Sequence, residues 1–322
     1  MRGLFLERGT VALRDDLPAP PAPDGECRVA VLAAGVCATD LALARGYMGF
    51  SGVPGHEFVG RALDGPLEGR RVVGEINAGC GDCADCARGD SRHCPGRTVL
   101  GILRRPGAFA EQLALPARNL LPVPESVPTD AAVFAEPLAA ALQITEQVSV
   151  PAGSRVLVAG DGRLGLLCAH VLALRGARVT VAGRHPERAA LLPRGARHAT
   201  GLLEEDGAPV RAEPPWELAI EATGHGAVLP RLLLRVAPRG TVVLKTTSEL
   251  SVTVDLAPVV VREQRLLGSR CGRLAPALAL LARGAVPVQA LIQARYPLAR
   301  APEALQHAAR GGVLKVLIDV AE

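Results

Sequence analysis

Apolar and polar residues alternate in short runs along roughly the first 120 residues of the chain, and proline and glycine separate these runs. Alternation with a period of two is typical of strands that bury one face. The region therefore predicts a small β-barrel or β-sandwich with long loops. The proline-rich run from Asp16 to Glu26 is predicted to connect two strands. The predicted strands are GLFLE, TVALR, CRVAVLAAGV, HEFVGRAL, RRVVGEI and AFAEQLAL.

From Thr129 the pattern becomes helical, in TDAAVFAEPLAAALQITEQV, with Thr129 as the predicted N-cap. Strands and helices then alternate, which is typical of an α/β fold with a parallel sheet. A tail from about Arg273, which ends in the strand VLKVLIDV, is predicted to return to the first domain. The strands predicted before that tail include RVLVA, ELAIEATG, GTVVLKT and RLLGSRC, and the helices are LGLLCAHVLALRG and AVLPRLLLRVA.

The chain has 322 residues, more than one hydrophobic core usually supports, so two domains are expected. We predict that residues 1–140 and 272–322 form one domain and that residues 141–271 form the other. The inserted segment alternates strands and helices, the first segment is mostly strands until Thr129, and the tail is predicted to contain the helices APALALLARGA and APEALQHAARG and the strands ALIQARYPL and VLKVLIDV.

Charge and hydropathy exclude several classes of function. The formal charge of +4 comes from scattered arginines, because Lys245 and Lys315 are the two lysines. Without a basic cluster interleaved with aromatic residues, we expect no nucleic-acid partner. No run of eighteen uncharged apolar residues occurs, and charged residues interrupt the first apolar stretch. We therefore expect neither a membrane span nor a signal peptide.

Four of the eight cysteines lie within fifteen residues, spaced C-x2-C-x2-C-x7-C. Such crowding favours a metal over disulfides and indicates a reducing, cytoplasmic location. One loop with four thiolates can surround a tetrahedral zinc ion, which would then be structural because every position is filled. A redox or iron–sulfur site is the alternative, and His93 is surplus to a complete set. The four predicted ligands are Cys80, Cys83, Cys86 and Cys94.

A second group of metal-ligand types lies in AGVCATD and PGHEFV, where Cys37 precedes His56 and Glu57. Thiolate, imidazole and carboxylate are ligands that a catalytic zinc takes while it keeps one position open. Glu136 in AEPLAA could complete that set or exchange within it. Taken alone, the cysteine and the histidine would more often be an ordinary buried thiol and a core histidine.

A glycine turn lies between the predicted strand RVLVA and the helix that follows it. Gly160, Gly162 and Gly165 match G-x-G-x-x-G in that setting, which indicates a dinucleotide site. At the end of the next strand, Gly183 stands where enzymes that use NAD carry an acidic residue. Arg184, alone or together with Arg188, could pair with a 2′-phosphate. NADP is therefore favoured over NAD, and the alternative is that Arg184 is an ordinary surface residue.

Six motifs together resemble the zinc-dependent medium-chain dehydrogenase/reductase family of the alcohol dehydrogenase type, over essentially the whole chain. They are AGVCATD, PGHEFVG, the four-cysteine loop, AEPLAA, GDGRLG and IEATG. The resemblance implies a GroES-like β-barrel catalytic domain with a structural zinc loop. It also implies an inserted Rossmann domain, a doubly wound parallel sheet that binds the dinucleotide, with an active-site cleft where the two meet.

The resemblance also implies roles for individual residues. Cys37 and His56 would bind catalytic zinc, with Glu57 or Glu136 as the third protein ligand. Asp40 would orient His56, and Thr39 would contact the substrate oxygen. The predicted cofactor-binding residues are Gly160, Gly162, Arg163, Leu164, Gly165, Gly183, Arg184, Arg188 and Thr223.

The implied reaction is hydride transfer between a small alcohol or carbonyl compound and NADP, with NAD as the alternative cofactor. Ala42 is a departure, because many relatives carry a histidine there as the exit of a proton relay. Tyr47, Met48 and Phe50 line the substrate pocket or pack within their own loop. A homodimer or homotetramer is expected. The alternative functions are a zinc-free enone or quinone reductase and a non-enzymatic nucleotide-binding protein.

Overall fold

The computed structural model describes residues 1–7, 9–203, 214–247 and 251–321. The chain forms two compact units. Met1–Glu136 and Arg273–Glu322 make up unit 1, and Pro137–Gly272 make up unit 2. The predicted boundaries, after residues 140 and 271, lie four residues and one residue from these divisions.

Strands dominate unit 1, and helices alternate with strands in unit 2. The strands are β1 (Gly3–Glu7), β2 (Thr10–Arg14), β3 (Glu26–Gly35), β4 (Glu57–Ala62), β5 (Arg71–Gly74), β6 (Asn77–Ala78), β7 (Thr98–Leu100), β8 (Arg104–Arg105), β9 (Gln112–Pro116), β10 (Leu120–Pro122), β11 (Arg155–Ala159), β12 (Arg178–Ala182), β13 (Arg197–Ala199), β14 (Trp216–Glu221), β15 (Val236–Leu244), β16 (Arg265–Gly268), β17 (Ile292–Pro297) and β18 (Lys315–Asp319).

The helices are short. They are α1 (Ala38–Ala44), α2 (Ala84–Ala87), α3 (Thr129–Ala132), α4 (Ala135–Gln147), α5 (Arg163–Leu174), α6 (Leu229–Arg235), α7 (Ala257–Val261), α8 (Leu274–Ala282) and α9 (Ala301–Ala308). The longest of them has 13 residues, whereas a membrane span needs about 20. Within the described part of the chain, no helix could cross a bilayer.

Unit 1 is organised around β3, which is ten residues long and pairs antiparallel with β4, β9 and β18. The main sheet has the order β10-β5-β4-β3-β18-β17, and β9 joins it through β3. Because β18 comes from the end of the chain, the tail does return to the first domain. The result is the predicted GroES-like β-rich domain.

The pairing around β3 also positions a site. Gly35, the last residue of β3, lies opposite both Glu57 of β4 and Leu317 of β18. A Cβ atom at position 35 would lie 2.6 Å from Oε2 of Glu57, so only glycine lets that carboxylate approach the strand end. Three distant parts of the sequence therefore meet at one end of the sheet.

Unit 2 contains the predicted Rossmann sheet. Its six strands are parallel and follow the order β13-β12-β11-β14-β15-β16. Numbered from β11, this is the order 3-2-1-4-5-6 of dinucleotide-binding folds. The central strands are buried on both faces, as expected where helices cover a parallel sheet. The glycine turn leaves the carboxyl end of β11.

Two local predictions were wrong. The helix predicted from Thr129 is broken into α3 and α4, and Thr129 is the first residue of α3 rather than its N-cap, which is Pro128. The Thr129 hydroxyl is instead 3.3 Å from a guanidinium nitrogen of Arg71, which also donates to the carbonyl of Val127. The Thr129 hydroxyl therefore bonds to Arg71, which is distant in the sequence, and does not cap the helix.

The strand predicted for AFAEQLAL begins only at Gln112. The preceding backbone N–H groups of Gly107, Ala108 and Phe109 donate to carbonyls of residues 53–55. Phe109 is fully buried, and a Cβ atom at Gly55 would lie 2.5 Å from its ring. This segment therefore supports the loop that leads into His56.

Candidate functional site

The donor atoms of Cys37, His56 and Glu57 come together in unit 1, all within 4.8 Å of one another. Cys37 is the N-cap of α1, directly after β3, and Glu57 is the first residue of β4. His56 and Glu57 are 4% and 1% exposed, whereas Cys37 is half-buried. Within the described residues, Glu136 is not part of this group.

Asp40 holds two members of the group in position and is itself fully buried. Its Oδ2 accepts a hydrogen bond of 2.7 Å from the backbone N–H of Cys37, and its Oδ1 accepts one of 3.2 Å from Gly55. The same Oδ1 lies 3.2 Å from Nδ1 of His56, although the geometry falls short of a hydrogen bond. A carboxylate behind one ring nitrogen leaves the other nitrogen for a metal, as metal-binding histidines require.

The electrostatics of His56 also fit a metal ligand. Burial lowers the pKa of His56, but the charges of Asp40 and Cys37 raise it more, so it lies well above its ordinary value. These anionic neighbours favour a cation at this point, either a proton or a metal ion. A metal that binds here therefore displaces a proton. Thiolate, imidazole and carboxylate together are a donor set that zinc accepts.

Lys315 is a functional residue that the sequence predictions missed. It is fully buried at the start of β18, and its Nζ forms an ion pair with Oε2 of Glu57. The ammonium also lies 3.3 Å from the carbonyl oxygen of Val36 and 5.5 Å from the Phe134 ring. A buried charge needs a partner, and the Lys315 ammonium is that partner for the Glu57 carboxylate. A lone lysine within the apolar run VLKVLIDV was the available signal.

Thr39 lies beside this group, whereas the loop after α1 is characterised by its backbone and its exposure. The thiol of Cys37 is 3.9 Å from the Thr39 hydroxyl, so that hydroxyl lies beside the ligand atoms. Met48 adopts a left-handed φ of 58° and is 56% exposed, while Tyr47 and Phe50 are half-buried. The assignment of these three side chains to a substrate pocket stays a prediction.

The four predicted cysteine ligands also come together, in a loop that contains α2. Sγ of Cys94 lies 3.4 Å from Sγ of Cys80, which is 4.0 Å from Sγ of Cys86. Four sulfurs around a tetrahedral zinc, with bonds of about 2.3 Å, would lie about 3.8 Å apart. All eight cysteines are free of disulfides. His93 is 62% exposed and lies outside the group.

The neighbouring sulfurs raise the cost of ionising Cys86. The Gly81 backbone N–H lowers the pKa of Cys86, but desolvation and the three neighbouring sulfurs raise it to about 11. Four thiolates at this spacing would repel one another unless a cation stood between them. The donor set therefore fits a closed zinc site.

In unit 2, each glycine of the turn has a distinct geometry. Gly160 has a φ of 109°, and a Cβ atom there would lie 2.5 Å from the carbonyl oxygen of Ala222. Gly162 is the N-cap of α5 and faces open space to 4 Å, which leaves room for a phosphate. A Cβ atom at Gly165 would lie 1.9 Å from the carbonyl oxygen of Gly160, so glycine permits the close packing of helix and strand.

The residue between the first two glycines, Asp161, occupies the space beside Gly183. A Cβ atom at Gly183 would lie 2.1 Å from Cγ of Asp161. The carboxylate accepts hydrogen bonds from the backbone N–H and Nδ1 of His185, at 2.8 and 3.0 Å, and from Nε2 of His198 at 3.1 Å. Arg188 also donates to it at 3.3 Å. Sequence reasoning missed this cluster, although Asp161 lies inside the glycine motif.

The cluster separates the two arginines that were predicted to bind a 2′-phosphate. Arg188 is 6% exposed and its guanidinium is bound to Asp161, whereas Arg184 is exposed and has no partner among the described residues. Burial raises the pKa of Asp161, but the hydrogen bonds from His185 and His198 outweigh it and hold that pKa below its ordinary value. The carboxylate is therefore ionised.

The remaining predicted cofactor residues border the same sheet edge. Arg163 and Leu164 begin α5, where backbone N–H groups have no partner within the helix. Thr223 follows β14, and both its backbone N–H and its hydroxyl donate to Oε1 of Glu221, at 2.9 and 2.6 Å.

The Lys315–Glu57 pair gives a stability prediction. Lys315→Met leaves the Glu57 carboxylate buried without its cation, which should cost about 3–5 kcal/mol of unfolding free energy. Equilibrium urea unfolding at matched zinc content measures that cost. Lys315→Met/Glu57→Gln removes both charges and should recover a large part of it. A Lys315→Met variant as stable as the wild type would contradict the account of this pair.

Comparisons with known proteins agree with this geometry. Residues 23–125 match the alcohol dehydrogenase GroES-like domain. Over 329 aligned residues the chain is 29% identical to the erythritol/L-threitol dehydrogenase of Mycolicibacterium smegmatis, with 92% of this chain and 91% of that protein covered.

Solved structures are similar over the full length. The alcohol dehydrogenase TADH from Thermus sp. ATN1 has a TM-score of 0.88 and 30% identity, with 100% of both chains covered. A zinc-binding dehydrogenase from Sinorhizobium meliloti 1021, bound to NADP, has a TM-score of 0.87 and 26% identity, with 99% of both chains covered. The chain therefore belongs to the zinc-type medium-chain dehydrogenase/reductase family, and it is an NAD(P)-dependent enzyme of the alcohol dehydrogenase type.

Proposed function

We propose that the enzyme prefers NADP and transfers a hydride between this cofactor and a small alcohol or its carbonyl counterpart. The observation that carries the chemistry is the convergence of Cys37, His56 and Glu57 beside the Thr39 hydroxyl. Because a relative of similar length is an erythritol/L-threitol dehydrogenase, polyols are the first substrates to test.

Cys37, His56 and Glu57 would hold the catalytic zinc, and the four cysteines Cys80, Cys83, Cys86 and Cys94 would hold the structural zinc. The position of Glu57 in the donor group favours it over Glu136 as the third ligand. A bound zinc ion supplies Lewis acidity, which lowers the pKa of a bound water to about 7 and acts on an alcohol in the same sense.

Two side chains besides the zinc ligands would prepare the reaction. Asp40 orients His56 from behind. The Thr39 hydroxyl accepts the hydrogen bond of the substrate hydroxyl and receives its proton while it releases its own. Since Ala42 cannot relay that proton, and Thr39 is only half-buried, water is the proposed acceptor from Thr39. The role of Thr39, which is not one of the proposed zinc ligands, is separable from zinc binding and therefore testable.

The preference for NADP is supported at the end of β12. Gly183 provides no strand-end carboxylate of its own, the Asp161 carboxylate beside it is paired with Arg188, and Arg184 is exposed without a partner among the described residues. The start of α5, with Gly162 facing open space, would receive the pyrophosphate. Arg188, bound to Asp161, would act on the phosphate through its charge rather than by direct contact.

The same residues argue against the competing functions. A zinc-free enone or quinone reductase does not need the two groups of metal-ligand side chains, and a non-enzymatic nucleotide-binding protein would not need the first. We further propose a cytoplasmic location, in keeping with eight cysteines free of disulfides. The expectation of a homodimer or homotetramer stays a prediction.

The overall proposal is tested by titrating the purified protein with NADPH and NADH and then screening polyols and carbonyl compounds by nicotinamide absorbance. Faster turnover with NADPH than with NADH is the expected result. Nucleotide binding without turnover of any alcohol or carbonyl compound in a broad panel would favour the non-enzymatic alternative.

Zinc content distinguishes the two sites. Elemental analysis of the wild type should give two zinc ions per chain, and Cys37→Ser and Cys86→Ser should each give one. Thermal stability should fall with Cys86→Ser, because a closed metal site contributes folding free energy. Cys168→Ala, at a buried cysteine outside both groups, is the control and should keep two zinc ions. A wild type with one zinc ion would point to the zinc-free reductase.

Thr39→Val tests the proton step. The substitution keeps the side-chain shape but removes the hydroxyl, so kcat/KM should fall about 10²- to 10⁴-fold, the range of a lost acid–base group. Zinc content should stay at the wild-type value. Thr39→Ser restores a hydroxyl and should recover most of the activity. Wild-type turnover in Thr39→Val would exclude this residue from the proton path.

Arg184→Ala tests the cofactor preference. It should weaken NADPH binding about 10- to 100-fold, since a hydrogen bond to a charged group is worth about 1.5–3 kcal/mol. NADH binding should change little. Arg178→Ala, at the opposite end of β12, is the matched control and should leave both affinities unchanged. Equal losses of NADPH and NADH binding in Arg184→Ala would show that the arginine does not contact the 2′-phosphate.

A further inference from the structure

The sequence has no acidic residue at the end of β12, but the carboxylate of Asp161 lies at that place in the structure. Asp161 comes from the glycine turn after β11, and its carboxyl carbon would lie 2.1 Å from a Cβ atom at Gly183. A side chain at position 183 and the side chain of Asp161 therefore exclude each other. The carboxylate stands beside the strand end at which dinucleotide-binding folds recognise the adenosine ribose.

This carboxylate is not available to a ribose in the way that a strand-end acid is. Its side chain is 7% exposed, and it accepts hydrogen bonds from His185, His198 and Arg188. Of its two imidazole partners, His185 is 29% exposed and His198 is 6% exposed. The accessible part of the cluster is therefore the ring of His185.

The hydrogen bond fixes which edge of that ring is available. Because the carboxylate is ionised, Nδ1 of His185 must carry the proton that it donates to Asp161. Nε2 lies on the other edge of the ring and has no hydrogen-bond partner among the described residues. His185 also directly follows Arg184, the exposed residue already proposed to bind the 2′-phosphate.

We propose that His185, oriented by Asp161, is a second ligand of the adenosine 2′-phosphate, and that Asp161 is the positioning residue of this pair. The inference rests on the proposed preference for NADP. A phosphomonoester carries a charge of about −1.5 to −2 at neutral pH, and two cationic donors match it better than one.

The charges around His185 permit this role. Arg188 balances Asp161, and His198 occupies the other carboxylate oxygen, so a proton on Nε2 of His185 adds net positive charge. Glu187 is an exposed neighbour that opposes this effect, and Arg184 adds to it. Binding of a 2′-phosphate should therefore draw a proton onto His185, whereas binding of a nucleotide without that phosphate should not.

Calorimetry with 2′,5′-ADP and 5′-AMP measures the contact between His185 and the 2′-phosphate without any contribution from zinc, nicotinamide or substrate. His185→Asn keeps a donor near the Nδ1 position and removes Nε2. It should weaken 2′,5′-ADP binding about tenfold or more, as loss of a hydrogen bond to a charged group does, and leave 5′-AMP within about twofold. Titrations in buffers of different protonation enthalpy should show a smaller proton uptake on 2′,5′-ADP binding than in the wild type.

Two further variants test the positioning role. Asp161→Asn should weaken 2′,5′-ADP binding, and in Asp161→Asn/His185→Asn the two losses should not add, because both act through one imidazole. His198→Gln keeps a donor to Asp161 and is the matched control, with unchanged binding expected. Additive losses in the double variant would exclude Asp161 as the residue that positions His185.

The outcomes separate this inference from the proposed function. If wild-type protein prefers 2′,5′-ADP and His185→Asn keeps that preference, His185 is not a ligand and the NADP preference still stands. Equal losses for the two nucleotides in His185→Asn would also overturn the inference, because they would indicate a general structural role. If wild-type protein binds 5′-AMP as tightly as 2′,5′-ADP, the NADP preference and this inference both fail.

Discussion

The ion pair between Lys315 and Glu57 is the interaction on which unit 1 depends most. It connects residues 258 positions apart, and both side chains are almost completely buried. The pair joins β18 to β4, the strand that begins at Glu57 directly after His56. Because each charge would be costly without the other, the pairing of β18 with β3 places Lys315 where it stabilises the buried Glu57 carboxylate beside the other ligand atoms.

The same arrangement occurs in both units: a buried carboxylate positions an imidazole. Asp40 does this for His56 behind the metal-binding group, and Asp161 does it for His185 at the end of β12. In each case the carboxylate also accepts a backbone N–H, from Cys37 or from His185 itself, which fixes its orientation. The geometry of an imidazole is thus set by an acid that is inaccessible to solvent, while the opposite ring edge stays available.

The sequence predicted most reliably what depends on local spacing. The four-cysteine loop and the glycine turn are short patterns whose geometry follows from a few neighbouring residues, and the α/β order predicted the parallel sheet. The sequence did not predict what depends on a distant partner. Nothing near Lys315 indicates that Glu57 would face it, and nothing near Asp161 indicates that its carboxylate would lie beside Gly183. Thr129 failed as an N-cap for the same reason, because Arg71 reaches it from another strand.

Charge balance offers a reason why Glu57, rather than Glu136, belongs in the donor group. Lys315 is fixed beside Glu57, so its positive charge is present whichever glutamate binds a metal. With Glu57 as a ligand, the charges of a zinc ion and Lys315 are matched by those of Cys37, Glu57 and Asp40, with a neutral His56. If Glu136 bound as an additional anion, this buried group would carry a net negative charge, which a site of low dielectric disfavours. A glutamate that joins the set only while another ligand leaves would avoid that cost, and exchange of ligands would then be coupled to the charge of whatever occupies the open position.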